Sequence, residues 1–438
     1  MSRAHPFLKL RTRNMSRIAV IGAGITGVTA AYALLQAGHQ VTVLDRNRYP
    51  AMETSFANGG QLSASNAEVW NSTSTVLKGL RWMTRRDAPL LMRLSPSWHK
   101  YSWIGEFLWN IRHYGRNTVE TTRMAIEARR HLFAIAEREK IVFDLEKRGI
   151  LHIYEDRASF EAAERVNTLL RSGGLDRRAV TPQEIKELEP ALRGEYFGGF
   201  FTESDSTGDI HKFTRGLAEA CQRRGAIFKH EFDVGKIEAT GGTFCITSNP
   251  PAFGANTTTK DAESVEADKI IVCAGAASRR FASMLGDRIN VYPVKGYSIT
   301  AHLDSEESRK AAPYVSLLDD AAKIVTSRLG PDRFRVAGTA EFAGFNRDIR
   351  TDRIEPLTAW VRAKFPGIDT SRVVPWAGLR PMMPNMMPIV RRGRKAGVFY
   401  NTGHGHLGWT LSALTAEMVA GLVATENSHL GIRSRTAA

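Results

Sequence analysis

The chain has 438 residues, 43% of them hydrophobic and 24% charged, which suits an ordinary globular protein of two domains rather than one small core. The formal net charge is +15, but the basic residues form no stripe interleaved with aromatics, which argues against nucleic-acid binding. The three cysteines, Cys221, Cys245 and Cys273, form no CxxC pair, so we expect a reducing compartment, no disulfide framework and no metal site.

The first fourteen residues carry four basic side chains and no acidic one, and Met15 reads as a second start directly before an apolar strand. We interpret residues 1–14 as an over-long start or a tail; the alternative is a mitochondrial-type targeting segment. No uncharged apolar run reaches 18 residues, so no transmembrane helix is expected.

A strand, a glycine loop, a helix and a second strand follow in this order. Residues 17–21 are predicted to form a buried parallel strand that leads directly into Gly22-Ala23-Gly24-Ile25-Thr26-Gly27. A helix is predicted over residues 28–37, and a second strand over residues 40–44 ends at Asp45. Strand, loop, helix, strand and terminal acid together predict dinucleotide binding.

Each residue type in this unit has a physical role. Gly22 permits a tight turn, Gly24 lets the backbone approach a pyrophosphate, and Gly27 lets the helix pack close to the strand. The pyrophosphate would lie on the free N–H groups at the helix start. Asp45 can accept ribose hydroxyls and favours an unphosphorylated ribose, as in FAD or NAD. We assign to the cofactor site Gly22, Gly24, Ile25, Thr26, Gly27, Asp45 and Arg46.

The rest of the chain distinguishes FAD from NAD. After a polar segment at residues 54–61 the chain is predicted to be helical for more than a hundred residues, and the strand–helix pattern resumes only near Lys212. Two more glycine turns follow predicted strands, at Ala274-Gly275 and at residues 403–409, and the last turn opens a helix over about 410–423. A long cofactor extended across one sheet needs contacts distributed in this way, so the three turns favour FAD. The last helix would direct its positive end at the flavin N1/O2 edge.

A Trp-rich stretch at residues 89–111 has two interpretations. It predicts a pair of amphipathic helices packed on the protein, or a helical patch that lies on a membrane surface.

Several segments in a fixed order carry a family resemblance: residues 54–61, 205–209, 292–298, 378–381 and 401–405. In this order the sequence resembles the D-amino-acid oxidase/glycine oxidase superfamily, and within it the bacterial D-amino-acid dehydrogenases of the small-subunit type. The resemblance covers nearly everything from Ile18 to about Val423.

The resemblance implies an α/β fold in which a Rossmann-like FAD-binding domain is interleaved with an antiparallel-sheet (α+β) substrate domain that covers the flavin. The expected boundaries are 15–80, 205–290 and 376–425 for the FAD-binding domain, 81–204 and 291–375 for the substrate domain, and tails at 1–14 and 426–438.

Further site residues follow from the resemblance. The arginine of the Gly-x-Arg-Pro segment, here Arg380, pairs with the substrate carboxylate, for which a planar guanidinium is suited. Tyr297 corresponds to a tyrosine whose hydroxyl faces the substrate; a packed strand tyrosine is the alternative. Further cofactor contacts are expected from Ser55, Asn58, Gly59, Gly60, Gln61, Ala274, Gly275, Gly403, His404, Gly405, Leu407, Gly408, Trp409 and Thr410.

Two departures from the family pattern concern the substrate range and the histidines. The segment Pro384-Asn385-Met386-Met387-Pro388 stands where relatives carry Pro-Asp-Gly-x-Pro, and His406 occupies a position that is often Thr. We interpret His404 and His406 as structural or flavin-contacting residues without a role in proton transfer.

The function implied is FAD-dependent oxidative deamination of D-amino acids to 2-oxo acids and ammonia, with hydride transfer from Cα to flavin N5 and electrons passed to a quinone or the respiratory chain. The expected location is cytoplasmic or peripheral on the inner face of the cell membrane. Three alternatives remain: an oxidase that uses oxygen, an enzyme for another amine (D-hydroxyproline, sarcosine, glycine or an opine), and a non-catalytic flavin-binding subunit.

Overall fold

The computed structural model describes residues 15–82, 90–92, 96–250 and 262–436, so the predicted tail at 1–14 lies outside the described residues. In chain order the strands are β1 (Arg17–Ile21), β2 (Gln40–Leu44), β3 (Gln61–Leu62), β4 (Leu90–Met92), β5 (Ile150–Tyr154), β6 (Arg178–Val180), β7 (Gly198–Thr202), β8 (Ser206–Thr207), β9 (Ile227–Lys229), β10 (Val234–Thr240), β11 (Thr243–Ser248), β12 (Ser264–Ala267), β13 (Lys269–Val272), β14 (Tyr292–His302), β15 (Ser316–Asp319), β16 (Ile324–Arg328), β17 (Arg333–Phe342), β18 (Val373–Met382), β19 (Ile389–Arg392) and β20 (Val398–Thr402). The helices are α1 (Ile25–Gln36), α2 (Thr73–Trp82), α3 (Trp98–Trp109), α4 (Tyr114–Glu139), α5 (Arg157–Ser172), α6 (Pro182–Leu188), α7 (Ile210–Arg223), α8 (Ser278–Met284), α9 (Glu306–Ala311), α10 (Thr351–Lys364) and α11 (Gly408–Thr436).

The first sheet has six strands in the order β19-β20-β13-β1-β2-β9. All neighbours pair in parallel except β19, which is antiparallel to β20. Alternate residues of β1 enter two different cores: Ile18 and Val20 pack with α1, α7 and α11, whereas Ala19 and Ile21 pack with β10, β11 and α8. Both faces of the sheet are thus covered, which explains why β1, β2 and β13 are rich in β-branched apolar residues.

The second sheet follows the order β18-β14-β17-β16-β15-β5-β7-β6, and β4 pairs with β17. Most neighbours are antiparallel, as predicted, but β15 pairs with β5 and β17 pairs with β4 in parallel. One face of this sheet is covered by α10, whose Leu357, Trp360 and Val361 pack on Ile299 and Val336.

One sequence-based expectation about secondary structure needs correction. The region predicted to be helical contains β5, β6 and β7, which pair within the second sheet; strands of three to five residues are too short to stand out between long amphipathic helices. The proposed domain boundary at residue 376 falls inside β18, whose pairing with β14 places Trp376 to Met382 in the second sheet. Helix α11 also continues beyond residue 426, where the tail was expected to begin.

The Trp-rich stretch contains β4 and α3; residue 89 and residues 93–95 lie outside the described residues. Trp103 is buried, and its Nε1 donates to the carbonyl of Met382 at 2.8 Å. Trp98 and Trp109 are 82% and 65% exposed. One face of α3 therefore packs on the protein, and the other presents aromatic side chains to solvent.

Candidate active site

Residues from both sheets line one cavity of about 920 Å³. Every cofactor-binding and catalytic residue predicted from the sequence borders this cavity except Gly27, which packs against the carbonyl group of Gly22. The structure therefore brings together residues that are up to about 390 positions apart in the chain, from Gly22 to Thr410.

The glycine loop joins β1 to α1 at one end of the cavity. Gly22 has a φ of +107°, and a Cβ there would lie 2.7 Å from the carbonyl oxygen of Cys273. A Cβ on Gly27 would lie 1.8 Å from the carbonyl oxygen of Gly22. Helix α1 begins after Gly24, which has no side chain to cap it, and the positive end of the helix borders the cavity.

Asp45 is held against this loop. Its Oδ2 accepts from the Ala23 N–H at 2.6 Å, and its Oδ1 accepts from the Asn47 backbone N–H at 2.8 Å. The carboxylate borders the cavity, so it is oriented in advance for a ligand hydroxyl. The neighbouring Arg46 forms an ion pair with Glu53 at 2.6 Å.

The segment at residues 55–61 connects the glycine loop to the second sheet. The Ser55 hydroxyl accepts from the Ile25 N–H at 3.1 Å. The Asn58 side chain accepts from the Gly60 N–H at 2.9 Å, and the Gly59 carbonyl accepts from the Ser327 hydroxyl at 2.7 Å. A Cβ on Gly59 would lie 2.6 Å from Val325 Cγ2, so the segment lies too close to β16 for a side chain.

The turn at residues 403–408 is tied to the end of β18. Gly403 and Gly405 have φ angles of +75° and +61°. The Gly405 N–H donates to the Pro381 carbonyl at 3.0 Å, and Met382 forms a β-bridge with His404. Helix α11 begins at Gly408, and the Ala274–Gly275 turn borders the same cavity.

Buried polar atoms without partners support a bound cofactor. Trp409 Nε1 and Gln61 Oε1 are buried and have no hydrogen-bond partner among the described residues, and both residues border the cavity. Buried polar groups are normally satisfied, so a ligand with its own donors and acceptors is expected here. Together with the glycine loop at the start of α1, these residues fit the extended FAD molecule.

His404 and His406 are neutral rings in this site. Burial lowers the pKa of His404 from 6.5 to about 3, and its Nε2 shares a hydrogen bond with the Thr415 hydroxyl at 2.9 Å. Burial likewise lowers the pKa of His406 to about 4. His406 Nε2 donates to the Asn66 carbonyl at 3.0 Å, and its ring stacks on Trp70. Such contacts suit structural residues.

Arg380 borders the cavity from β18. Its Nη1 donates to the Thr339 carbonyl at 2.9 Å. Burial lowers the pKa of the guanidinium from 12.5 to about 10, and no described carboxylate offsets this effect. The group stays charged at neutral pH, and a half-buried cation without a carboxylate partner among the described residues favours a bound anion. The site therefore fits an anionic ligand.

Tyr297 borders the cavity, but its hydroxyl already has a partner within the protein. Its hydroxyl donates to Glu341 Oε2 at 2.6 Å, and the side chain is 1% exposed in the core beneath α10. Side chains alternate along β14, so Tyr297 shares a face with Lys295, which also contacts Glu341, whereas Gly296 faces Arg380. These contacts support the packed-tyrosine alternative and not a hydroxyl that faces the substrate.

Several polar residues of the cavity were not predicted. The Tyr114 hydroxyl donates to Glu68 at 2.6 Å, and burial raises the pKa of this carboxyl group. Arg177 and Thr339 also border the cavity. These residues come from separate segments without a local motif. Trp376 also borders the cavity, and it lies four positions before Arg380 on the same face of β18.

Comparisons with known proteins identify the family of the chain. The family model for DAO, FAD dependent oxidoreductase, matches residues 17–422. D-amino acid dehydrogenase 3 of Mesorhizobium japonicum is 61% identical over 97% of this chain and 100% of its own length. D-amino acid dehydrogenase of Paramagnetospirillum magneticum is 39% identical over 95% of this chain and 97% of its own length.

Solved structures share the fold. Glycine oxidase from Geobacillus kaustophilus superposes with a TM-score of 0.69 at 20% identity, covering 93% of this chain and 95% of that chain. L-proline dehydrogenase from P. horikoshii superposes with a TM-score of 0.70 at 15% identity, covering 93% of each chain. These likenesses confirm the predicted fold class.

Proposed function

The chain belongs to the FAD-dependent oxidoreductase family, and on this premise we propose that it oxidises D-amino acids to 2-oxo acids and ammonia. Two relatives that are 61% and 39% identical bear the name D-amino acid dehydrogenase, which supports this substrate class. Bound FAD supplies the two-electron acceptor that takes the Cα hydrogen of the substrate as hydride. Water then hydrolyses the imino acid, which releases ammonia.

The half-buried guanidinium of Arg380 is the observation that most directly supports an amino-acid substrate. It borders the cavity without a carboxylate partner among the described residues, and its Nη1 donates to the backbone carbonyl of Thr339. We propose that its remaining N–H groups bind the substrate carboxylate, because a planar fork of donors matches the two carboxylate oxygens.

The other predicted residues would hold the cofactor. We propose that the start of α1 binds the pyrophosphate and that Asp45 accepts from the adenosine ribose. The start of α11 would lie at the flavin and stabilise negative charge on its reduced form. His404 and His406 orient this turn as neutral rings and move no proton, since Nε2 of each is already hydrogen-bonded.

We further propose a quinone or another respiratory-chain component as the electron acceptor, reached at the inner face of the cell membrane. On α3, Trp98, Tyr101 and Trp109 are exposed, and the Arg112 guanidinium lies 3.8 Å above the Trp109 ring. Aromatic and basic side chains together favour a membrane interface. No described helix has the length and apolar content needed to cross a bilayer.

Anaerobic reduction of the flavin tests the substrate proposal. We expect D-alanine, but not L-alanine, to bleach the flavin absorption band of the purified holoenzyme at about 450 nm. In Arg380→Leu we expect an apparent Kd for D-alanine raised by about 100-fold or more, with FAD content unchanged. The control is Arg362→Leu, which removes an exposed arginine of α10.

Other outcomes identify the alternatives. Bleaching by sarcosine, glycine, D-hydroxyproline or an opine, without bleaching by D-alanine, would replace the substrate class. A flavin that none of these compounds bleaches would indicate a non-catalytic subunit. After reduction, hydrogen peroxide formed stoichiometrically in air would indicate an oxidase, whereas fast reoxidation only by added quinone supports the dehydrogenase.

A further inference from the structure

Arg380 reaches its position by lying across a glycine of the neighbouring strand. Strands β14 and β18 pair so that Gly296 lies opposite Gly378, two residues before Arg380. A Cβ on Gly296 would lie 2.3 Å from Arg380 Cζ, and a similar distance from both terminal nitrogens. The guanidinium therefore fills the space that any side chain at residue 296 would need.

A β-bulge on the other neighbour of β14 supplies the hydrogen-bond partner. Lys295 pairs with Glu341 and Tyr297 pairs with Gly338, so β17 has one extra residue opposite Gly296. Thr339 lies in this bulge with a φ of +57°, which is unusual for a β-branched residue. Bulges redirect backbone groups, and here the Thr339 carbonyl accepts from Arg380 Nη1 at 2.9 Å.

We propose that Gly296 is a positioning residue for substrate binding: its missing side chain lets the guanidinium of Arg380 lie flat between β18 and the Thr339 bulge. This inference rests on the role proposed above for Arg380. A two-point contact with a carboxylate requires a fixed guanidinium plane. The glycine below the group and the carbonyl at its edge fix that plane before substrate arrives.

The backbone itself does not require glycine at this position. Gly296 has no left-handed φ, so alanine is compatible with its conformation. The atoms that an added methyl group would meet first belong to the flexible end of Arg380 and not to the backbone. We therefore expect Gly296→Ala to fold and bind FAD, with the guanidinium displaced.

A double-mutant cycle tests the inference. The holoenzyme is prepared with Gly296→Ala, with Arg380→Leu and with both changes. For each variant, kcat and KM are measured with D-alanine. The Kd of propionate, a carboxylate that cannot react, is measured from the change in flavin absorption. In Gly296→Ala we expect KM and the propionate Kd to rise roughly 10- to 100-fold, with unchanged Tm and flavin content. Added to Arg380→Leu, the alanine should change neither value further.

Gly378→Ala is the matched control. Gly378 is the pairing partner of Gly296, but a methyl group there would meet the Trp376 ring and not Arg380. Any effect of Gly378→Ala should therefore persist in the Arg380→Leu background.

Three results would contradict the proposals, and they can be distinguished from one another. An unchanged KM and propionate Kd in Arg380→Leu would overturn the proposed role of Arg380 and this inference with it. A raised KM in Arg380→Leu beside an unchanged KM in Gly296→Ala would overturn the inference alone. An effect of Gly296→Ala that persists in full without Arg380 would likewise overturn it.

Discussion

Gly27 packs directly on the carbonyl group of Gly22, where a Cβ would lie only 1.8 Å from the oxygen. The oxygen of Gly22 is a backbone atom and the added Cβ is bonded directly to the backbone of residue 27, so no side-chain rotation relieves this contact. We expect Gly27→Ala to push α1 away from β1 and to destabilise the apoprotein by about 1–3 kcal/mol. Urea unfolding of the apoprotein measures this change, and a stability equal to wild type would contradict the packing.

Gly24→Ala is expected to act on the cofactor and not on the fold. A Cβ at residue 24 would meet only Ser55 Oγ, at an ordinary 3.5 Å, so apoprotein stability should change by less than about 0.5 kcal/mol. The methyl group would stand where the pyrophosphate approaches the loop, so we expect FAD affinity to fall about tenfold or more. Titration of apoprotein with FAD decides the matter; an unchanged affinity would place the pyrophosphate elsewhere.

Tyr297→Phe should separate packing from catalysis. Its hydroxyl donates to the buried Glu341, which would lose one hydrogen bond. We expect the free energy of unfolding to fall by about 1–3 kcal/mol, whereas kcat/KM for D-alanine stays within about twofold. A loss of kcat/KM by about 100-fold with a normal Tm would instead restore the substrate-facing role.

The buried histidines predict how stability depends on pH. Burial lowers the pKa of His404 to about 3 in the folded state, whereas the pKa of an ordinary histidine is 6.5. Below pH 6.5 the unfolded state therefore binds more protons, and stability falls as pH falls. Between pH 6.5 and pH 5 this histidine should lower the free energy of unfolding by about 1.5 kcal/mol.

Apoprotein with His404→Gln should therefore lose less stability over that pH interval than wild type, as measured by urea unfolding at each pH. Parallel curves for wild type and His404→Gln would show that His404 is protonated in the fold.

The exposed aromatics of α3 predict lipid binding. We expect wild type to sediment with vesicles that contain acidic lipid, and the double variant Trp98→Ser/Trp109→Ser to lose most of this binding with normal D-alanine turnover. The control changes exposed apolar residues elsewhere, Val142→Ser/Phe197→Ser. Equal sedimentation of both variants would exclude α3 as the contact.

The part of the fold that the sequence predicts is local. The glycine loop, Asp45 and the flanking strands lie within one stretch of chain, and the structure places them as expected. The orientation of Tyr297 depends instead on the register of β14, where a shift of one residue exchanges the two faces. The Thr339 carbonyl carries no residue signature at all, because a bulge arises from pairing between distant strands.

The hydrogen bond from the Gly405 N–H to the Pro381 carbonyl joins the residue after Arg380 to the turn that begins α11. Arg380, which would bind the substrate carboxylate, and the turn at the start of α11, which would contact the flavin, would then belong to one rigid unit. Binding energies coupled in this way are reciprocal. A carboxylate ligand that prefers the oxidised enzyme should therefore lower its reduction potential, and Arg380→Leu should weaken that response.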